Sequence, residues 1–209
     1  MITSTLDKNT QDALNPEGVL QDLYNGNQRF QSQNMQERDY ASQRSNTVTG
    51  QYPKAVVLSC IDSRVPVETI FDQGIGDVFV ARVAGNFENT DILGSLEYSC
   101  KVAGSKLILV LGHEACGAVK AACDGVELGN ITPMLANIIP AVKLSAEQVE
   151  GEANSSNAAF VKATVENNVR LTIDRIRERS PILKEMEEAG EIAIKGGVYN
   201  LGSGQVDFL

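Results

Sequence analysis

Two short segments, residues 60–64 (CIDSR) and 113–116 (HEAC), contain the side chains of this chain that are best suited to chemistry. They hold the only histidine and two of the four cysteines in the sequence. Two thiolates and one imidazole suit zinc, and three protein ligands leave the fourth position of a tetrahedral ion open. Because an open position is typical of catalytic zinc sites, we expect Cys60, His113 and Cys116 to form a catalytic metal centre.

The elements around these segments must bring the three ligands together. Apolar runs at residues 55–58, 78–81 and 107–111 are typical of strands that are buried on both faces of a parallel sheet. Cys60 follows the first run and His113 follows the third. If the second strand lies outside the first, strands one and three are neighbours, and both ligands lie at the carboxyl edge of the sheet, where open parallel sheets bind ligands.

Helical patterns separate and flank these strands. Between the second and third runs, apolar residues at helical spacing predict a crossover helix: Ile92, Leu93, Leu96, Cys100 and Ala103. Residues 20–30 predict a helix near the start of the chain, and residues 31–51 are polar and weakly patterned. Residues 161–176 predict a long helix, for which the candidate N-caps are Ser155, Ser156 and Asn157. A strand at 192–194 then leads through a glycine-rich segment into a last short strand.

Composition limits the class of protein and its partners. The 209 residues, 43% of them hydrophobic, suffice for one compact domain. The 18 basic and 27 acidic residues give a net charge of −9, which disfavours nucleic acids and anionic membranes as partners. No apolar run is long enough to span a bilayer, and the start of the chain lacks the regions of a secretory signal, so we expect a cytoplasmic protein. Four cysteines are too few for a disulfide scaffold, and we expect Cys100 and Cys123 to be core residues.

Several motifs together resemble those of the β-class carbonic anhydrases, over nearly the full length of the chain. Residues 60–64 and 113–117 are similar to the zinc signature of that family, and at this separation the pair is highly specific. Supporting similarities lie at residues 23–30 (LYNGNQRF), 74–82 (GIGDVFVAR), 84–86 (AGN), 197–199 (GVY) and Gly204. The chain departs from the family pattern at Val83, where asparagine is frequent, and in having no tryptophan.

The resemblance implies an activity and a cofactor. Cys60, His113 and Cys116 would hold one Zn²⁺ per subunit, and hydroxide on the open position would attack carbon dioxide to give bicarbonate and a proton. Asp62 would accept a hydrogen bond from that hydroxide. Arg64 would hold the Asp62 carboxylate by a charge-assisted pair, because a free carboxylate at this distance could occupy the open position itself. The absence of tryptophan implies the subtype whose site is open near neutral pH.

The resemblance also implies a substrate pocket and an assembly. Gln51 matches an amide that hydrogen-bonds substrate, the Gly117 N–H is a further donor, Tyr98 matches a pocket tyrosine, and Phe79 matches the apolar wall. Such pockets lie at a dimer interface, so a homodimer is implied, with a dimer of dimers as the alternative. The resemblance implies an α/β fold with four parallel strands and an antiparallel edge strand, flanked by helices. We expect one domain over 1–209, with an extended helical arm at 1–50 and the zinc-binding core at 51–209.

Two other function classes are compatible with these residues. A hydrolase of carbon disulfide or carbonyl sulfide could use the same hydroxide on another linear, apolar substrate. A non-catalytic zinc-binding protein could close the fourth position with Asp62. Gln51, Asp62 and Arg64 argue against the second class, because a purely structural site needs none of them.

Overall fold

The computed structural model describes residues 1–209, which form ten α-helices and one five-stranded sheet. The strands are β1 (Ala55–Ser59), β2 (Val78–Arg82), β3 (Leu107–His113), β4 (Ala193–Tyr199) and β5 (Val206–Phe208). Their order in the sheet is β2-β1-β3-β4-β5. The first four strands are parallel and β5 pairs antiparallel with β4, which confirms the expected α/β class.

The helices cover both faces of the sheet. They are α1 (Lys8–Asp12), α2 (Pro16–Gln31), α3 (Tyr40–Asn46), α4 (Val67–Ile70), α5 (Thr90–Glu97), α6 (Gly117–Cys123), α7 (Ile131–Leu135), α8 (Ile139–Gln148), α9 (Ala158–Arg179) and α10 (Pro181–Glu188). The predicted crossover helix is α5, which continues into a π-helical turn at Tyr98–Val102. Of the three candidate caps of α9, Asn157 is the N-cap, and its side chain accepts a hydrogen bond from the Phe160 N–H.

The strand order satisfies the condition on which the predicted site depended. β1 lies between β2 and β3, and Ser59 is paired with Leu111, so that Cys60 and His113 extend from neighbouring strands at the same edge. All residues of β1 and β3 are buried. The prediction that β2 is buried on both faces is wrong for the single chain, because β2 is an edge strand with four half-buried residues and one exposed residue.

Two apolar clusters pack on the two faces of the sheet. The larger one includes α9, Cys60, Cys116, Cys100 and Cys123, and all four cysteines are buried and unpaired. Close approach of α9 depends on glycine in the strands: a Cβ on Gly112 would lie 2.8 Å from Val169 Cγ2. The result is a long helix held firmly behind the edge that carries the ligands.

The smaller cluster joins the N-terminal helices to the sheet of the same chain. Val19 and Leu23 of α2 are buried in it, and Asn27 Nδ2 donates to the carbonyls of Ile70 and Gly204. The polar segment 31–51 also contains α3, whose N-cap Asp39 accepts hydrogen bonds from two backbone amides. The separation of an arm at residue 50 stays a prediction.

Candidate metal centre

The three predicted ligands meet at the carboxyl edge of the sheet. Cys60 follows β1, His113 is the last residue of β3, and Cys116 is the N-cap of α6. Ala115 takes a left-handed conformation (φ +51°), which turns the short segment from β3 back towards the sheet. All three side chains are buried, and their ligand atoms lie within 4.8 Å of one another.

The histidine ring is oriented as a metal ligand would be. Its Nδ1 lies 2.8 Å from the Glu114 carbonyl oxygen, which can only accept, so Nδ1 carries the proton and Nε2 presents a lone pair. Nε2 is buried and has no hydrogen-bond partner. The Cys60 and Cys116 sulfurs are 3.9 Å apart, close to the roughly 3.8 Å expected for two thiolates on one tetrahedral zinc. The donor set therefore fits a zinc ion.

The two thiols differ in acidity because they lie so close together. A hydrogen bond from Cys116 lowers the pKa of Cys60 to about 4, against the opposing effect of burial, and His113 and the Gly85 amide also favour the thiolate. The same hydrogen bond and burial raise the pKa of Cys116 well above its usual range. One proton is thus lost easily and the second only against an existing negative charge. A divalent cation would compensate two thiolates at this site.

Asp62 and Arg64 form the predicted pair beside the ligands. Arg64 donates through its backbone N–H and Nε to Asp62 Oδ1, both at 2.9 Å, and through a terminal nitrogen to Oδ2 at 2.7 Å. The side-chain hydrogen bonds from Arg64 are the main reason why the pKa of the Asp62 carboxyl lies well below its usual range. Asp62 Oδ2 lies 3.8 Å from His113 Nε2. The carboxylate is therefore adjacent to the ligand atoms, while both of its oxygens are bonded to Arg64.

Two further residues hold the Cys60 segment, and neither was predicted from the sequence to have a role in the site. Arg82, at the end of β2, donates to the backbone carbonyls of Cys60 at 2.8 Å and Asp62 at 2.6 Å. The Gly85 backbone N–H donates to Cys60 Sγ at 3.4 Å. The only sequence signal for them was their position within the motifs at 74–82 and 84–86.

The predicted substrate-binding residues lie in different places. Gly117 is exposed and directly follows Cys116 at the start of α6. Gln51 precedes β1 and thus lies towards the opposite, amino-terminal end of that strand from Cys60. Phe79 is paired with Val56 within the sheet, four positions before Cys60, or roughly 13 Å along the strand.

Phe79 and Tyr98 contact each other along the exposed side of β2. Their ring centroids are 6.2 Å apart, and both line an open cavity of about 530 Å³ between β2 and α5. No metal-ligand candidate lines that cavity. Within one chain, the structure therefore brings Gly117 to the ligands and leaves Gln51, Phe79 and Tyr98 apart from them.

Known proteins resemble this chain in sequence. A model of the carbonic anhydrase family matches residues 55–206. Carbonic anhydrase 2 of Mycobacterium tuberculosis is 34% identical over 197 residues, which cover 91% of either chain. A carbonic anhydrase of Pseudomonas aeruginosa is 30% identical over 200 residues, covering 91% of this chain and 87% of its own length.

Solved structures resemble it in fold. A tetrameric β-carbonic anhydrase of Sordaria macrospora superposes with a TM-score of 0.70 at 27% identity, covering 81% of this chain and 89% of its own. The Coccomyxa β-carbonic anhydrase in complex with acetazolamide gives a TM-score of 0.71 at 29% identity, with coverages of 81% and 77%. No helix of the present chain has the length and apolar character required to cross a bilayer.

Proposed function

This chain belongs to the β-class carbonic anhydrase family, and from that premise we propose how its own residues carry out the reaction. It catalyses the reversible hydration of carbon dioxide to bicarbonate and a proton. We propose that Cys60, His113 and Cys116 hold one zinc ion. The observation that carries the proposal is His113 Nε2, a buried nitrogen without a partner that faces two buried sulfurs. A bound zinc ion would supply Lewis-acid activation of the attacking water.

Asp62 acts as an acceptor in this proposal. Its lowered pKa keeps the carboxylate ionised, so it can only accept hydrogen bonds. The carboxylate lies close enough to the ligand atoms to accept a hydrogen bond from the attacking water, which would orient that water. Arg64 restrains the carboxylate by three hydrogen bonds and keeps it from turning onto the metal. The Gly117 N–H lies next to Cys116 and is a candidate donor to a substrate oxygen.

We further propose that a second copy of this chain completes the substrate pocket. Gln51, Phe79 and Tyr98 are distant from the ligands of their own chain, and β2 is an edge strand whose apolar residues stay half-buried. Tyr98 and Val102, one helical turn apart, are 53% and 72% exposed beside that edge. An apolar edge of this kind is typical of an interface, and a homodimer would place these residues at the neighbouring site. Two dimers could assemble into a tetramer, as the Sordaria relative is described.

A single exposed position tests this assembly. Val102→Asp places a charge on the proposed interface without touching a ligand. Leu128→Asp is the control, because it places the same charge on a loop away from β2, at a residue that is 63% exposed. Sedimentation should give a smaller assembly and lower hydration activity for Val102→Asp, with both unchanged for Leu128→Asp. Wild-type mass and activity in Val102→Asp would contradict the proposed interface.

Stopped-flow carbon dioxide hydration on zinc-replete protein, with zinc counted by elemental analysis, tests the metal centre. We expect one zinc per chain in the wild type. Cys116→Ala should lose the zinc and at least about 1,000-fold of the activity, because the activated water is lost with it. Cys100→Ala is the matched control: Cys100 is equally buried but lies outside the ligand group, so zinc and activity should persist. A zinc-free but active wild type would refute the centre.

We propose one domain over 1–209, with 1–50 as its helical arm, and a reducing, cytoplasmic compartment, which four unpaired cysteines support. No observation favours hydrolysis of carbon disulfide or carbonyl sulfide. The Asp62–Arg64 pair argues against a purely structural zinc site, because both Asp62 oxygens are held by Arg64.

A further inference from the structure

A second line of contacts reaches the metal centre from behind, through the loop that joins β2 to α5. The Gly85 N–H donates to Cys60 Sγ at 3.4 Å, and the Gly85 carbonyl accepts from Asn168 Nδ2 at 2.8 Å. Both Gly85 and Asn168 are buried. One peptide segment therefore links a proposed zinc ligand to a side chain on α9.

The middle of this link strongly favours glycine. Gly85 has φ +87° and lies in a turn that the Asn86 N–H closes onto the Val83 carbonyl at 3.0 Å. That conformation is typical of the third residue of a type II turn, which favours glycine. A Cβ would also lie 2.5 Å from Ile138 Cδ1. A side chain at this position would therefore displace the turn or Ile138, and with the turn the amide that donates to Cys60.

Asn168 is the residue that holds this turn. It is 1% exposed. Its side chain makes a single hydrogen bond, from Nδ2 to the Gly85 carbonyl, and its Oδ1 has no partner. The one hydrogen bond of this buried amide therefore goes to the turn and not to a neighbouring helix. The neighbouring Asn167 shows the contrast, since it donates to Ser145 and Gln148 on α8 and does not contact the turn.

The helix gives Asn168 a firm base. α9 packs against β3 with Val169 in contact with Gly112, directly beside the strand that ends in His113. The Gly85 carbonyl is thereby held at a fixed distance from the sheet. A fixed carbonyl fixes the rest of its turn, including the amide that points at Cys60.

We propose that Asn168 is a positioning residue of the metal centre, which keeps the Gly85 N–H on the Cys60 sulfur. This inference rests on the proposed zinc site and adds a residue from outside its motifs. An N–H donor to a metal-bound thiolate stabilises its charge and orients its lone pairs towards the ion. Loss of the donor should therefore weaken zinc binding without removing any ligand.

The test is zinc competition with a chromogenic chelator on the zinc-loaded, full-length protein. Asn168→Leu keeps a similar volume but cannot donate, and Asn167→Leu is the matched control on the same helix. We expect Asn168→Leu to raise the zinc dissociation constant about 10- to 100-fold, the usual effect of losing a partner of a metal ligand. Asn167→Leu should stay within about threefold of wild type by the same expectation, even if its melting temperature falls.

The outcomes separate the two proposals. A wild type that binds no zinc overturns the metal centre and this inference together. A zinc-binding wild type with unchanged affinity in folded Asn168→Leu, or an equal loss in Asn167→Leu, overturns the inference alone. If Asn168→Leu does not fold, Asn168→Ala decides by the same chelator competition: a zinc dissociation constant raised about 10-fold or more supports the inference, and an unchanged constant overturns it.

Discussion

The chain contains two aspartate–arginine clusters only ten residues apart in sequence, and they differ in almost every physical respect. At the proposed metal centre, the Asp62 side chain is 16% exposed and its partner Arg64 is 53% exposed. The second cluster joins Asp72, which is fully buried, to Arg38 at 4% and Arg29 at 25% exposure. One cluster lies at the surface beside the ligands, and the other lies inside the fold.

Their partners explain the difference. Asp62 is paired within its own loop, two residues away, so the pair forms wherever that loop forms. Asp72 instead binds Arg29 and Arg38, which are 43 and 34 residues away in sequence, and it accepts a hydrogen bond from the Gln36 N–H. These contacts join α2 and the segment before α3 to the end of α4. We infer that the same two residue types serve reactivity in the first cluster and folding in the second.

The largest effect on stability should follow a change at Asp72. Asp72→Asn removes the negative charge and leaves Arg38 buried without its counter-ion, which typically costs about 3 kcal/mol or more. Urea denaturation of zinc-loaded protein should show this loss at pH 7. Asp174→Asn is the matched control, because Asp174 pairs with Arg177 on the surface at 68% exposure, and it should change the unfolding free energy little.

If Asp72→Asn lost more activity than folded protein, the buried cluster would also serve the reaction, which contradicts the proposed difference between the two clusters. We expect the specific activity per bound zinc to stay close to wild type, because Asp72 contacts neither a ligand nor Asp62. A variant as stable as wild type would instead mean that burial does not separate the two clusters.

The next effect, on activity, should follow Arg64→Ala. Without Arg64 the Asp62 carboxylate can turn and occupy the open ligand position, so zinc content should persist while hydration falls about 100-fold. Zinc analysis and stopped-flow hydration measure both quantities. Asp62→Asn should also impair turnover with zinc still bound.

The control for this change is Arg170→Ala, which removes an exposed arginine of α9 that makes no ion pair. Its activity should match wild type. If Arg64→Ala kept full turnover, the proposed restraint on Asp62 would be wrong, and the exposed cluster would be an ordinary surface pair.

The two clusters also show how much the sequence could predict. Asp62 and Arg64 were predicted because a local motif carries them, and Cys60, His113 and Cys116 because apolar strands place them at one edge. Asp72 was not, because its partners are distant in sequence and its burial depends on the packed fold. The helix α3 was missed for a different reason: its residues lack an apolar period, although Asp39 caps it.

Elsewhere the sequence misled for a physical reason. The apolar run in β2 has the composition of a central strand, yet the strand order places it at an edge. Composition alone does not distinguish a central strand from an apolar edge strand. The Arg82 side chain donates to the backbone carbonyl of Cys60, and the Gly85 backbone N–H donates to its sulfur, so each contact uses a backbone atom, which leaves no pattern of residue types. Contacts made by the backbone are thus the part of the site that spacing alone does not predict.

A smaller effect should appear in the pH dependence of the buried cluster. Burial opposes ionisation of Asp72, but hydrogen bonds from Arg29 and Arg38 outweigh it, and its pKa is lowered in the folded state. A lowered pKa contributes stability above the unfolded value, about 3.9, which is lost as the pH falls through the folded value. The stability difference between wild type and Asp72→Asn should therefore be constant from about pH 5 to 8 and shrink below about pH 4. A difference that widened in acid would contradict the direction of the shift.

The smallest effect should come from an exposed ion pair that lies neither beside the proposed metal ligands nor inside the fold. Lys8 and Asp12 pair within α1 at 60% and 54% exposure, so water already solvates both charges. Lys8→Ala should change the unfolding free energy by at most about 0.5 kcal/mol and leave hydration unchanged. Denaturation at low and at 0.5 M salt provides the check, because any contribution should vanish as the salt screens it. A salt-independent loss comparable to that of Asp72→Asn would show that exposure does not order these pairs, and the contrast between the two clusters would need another cause.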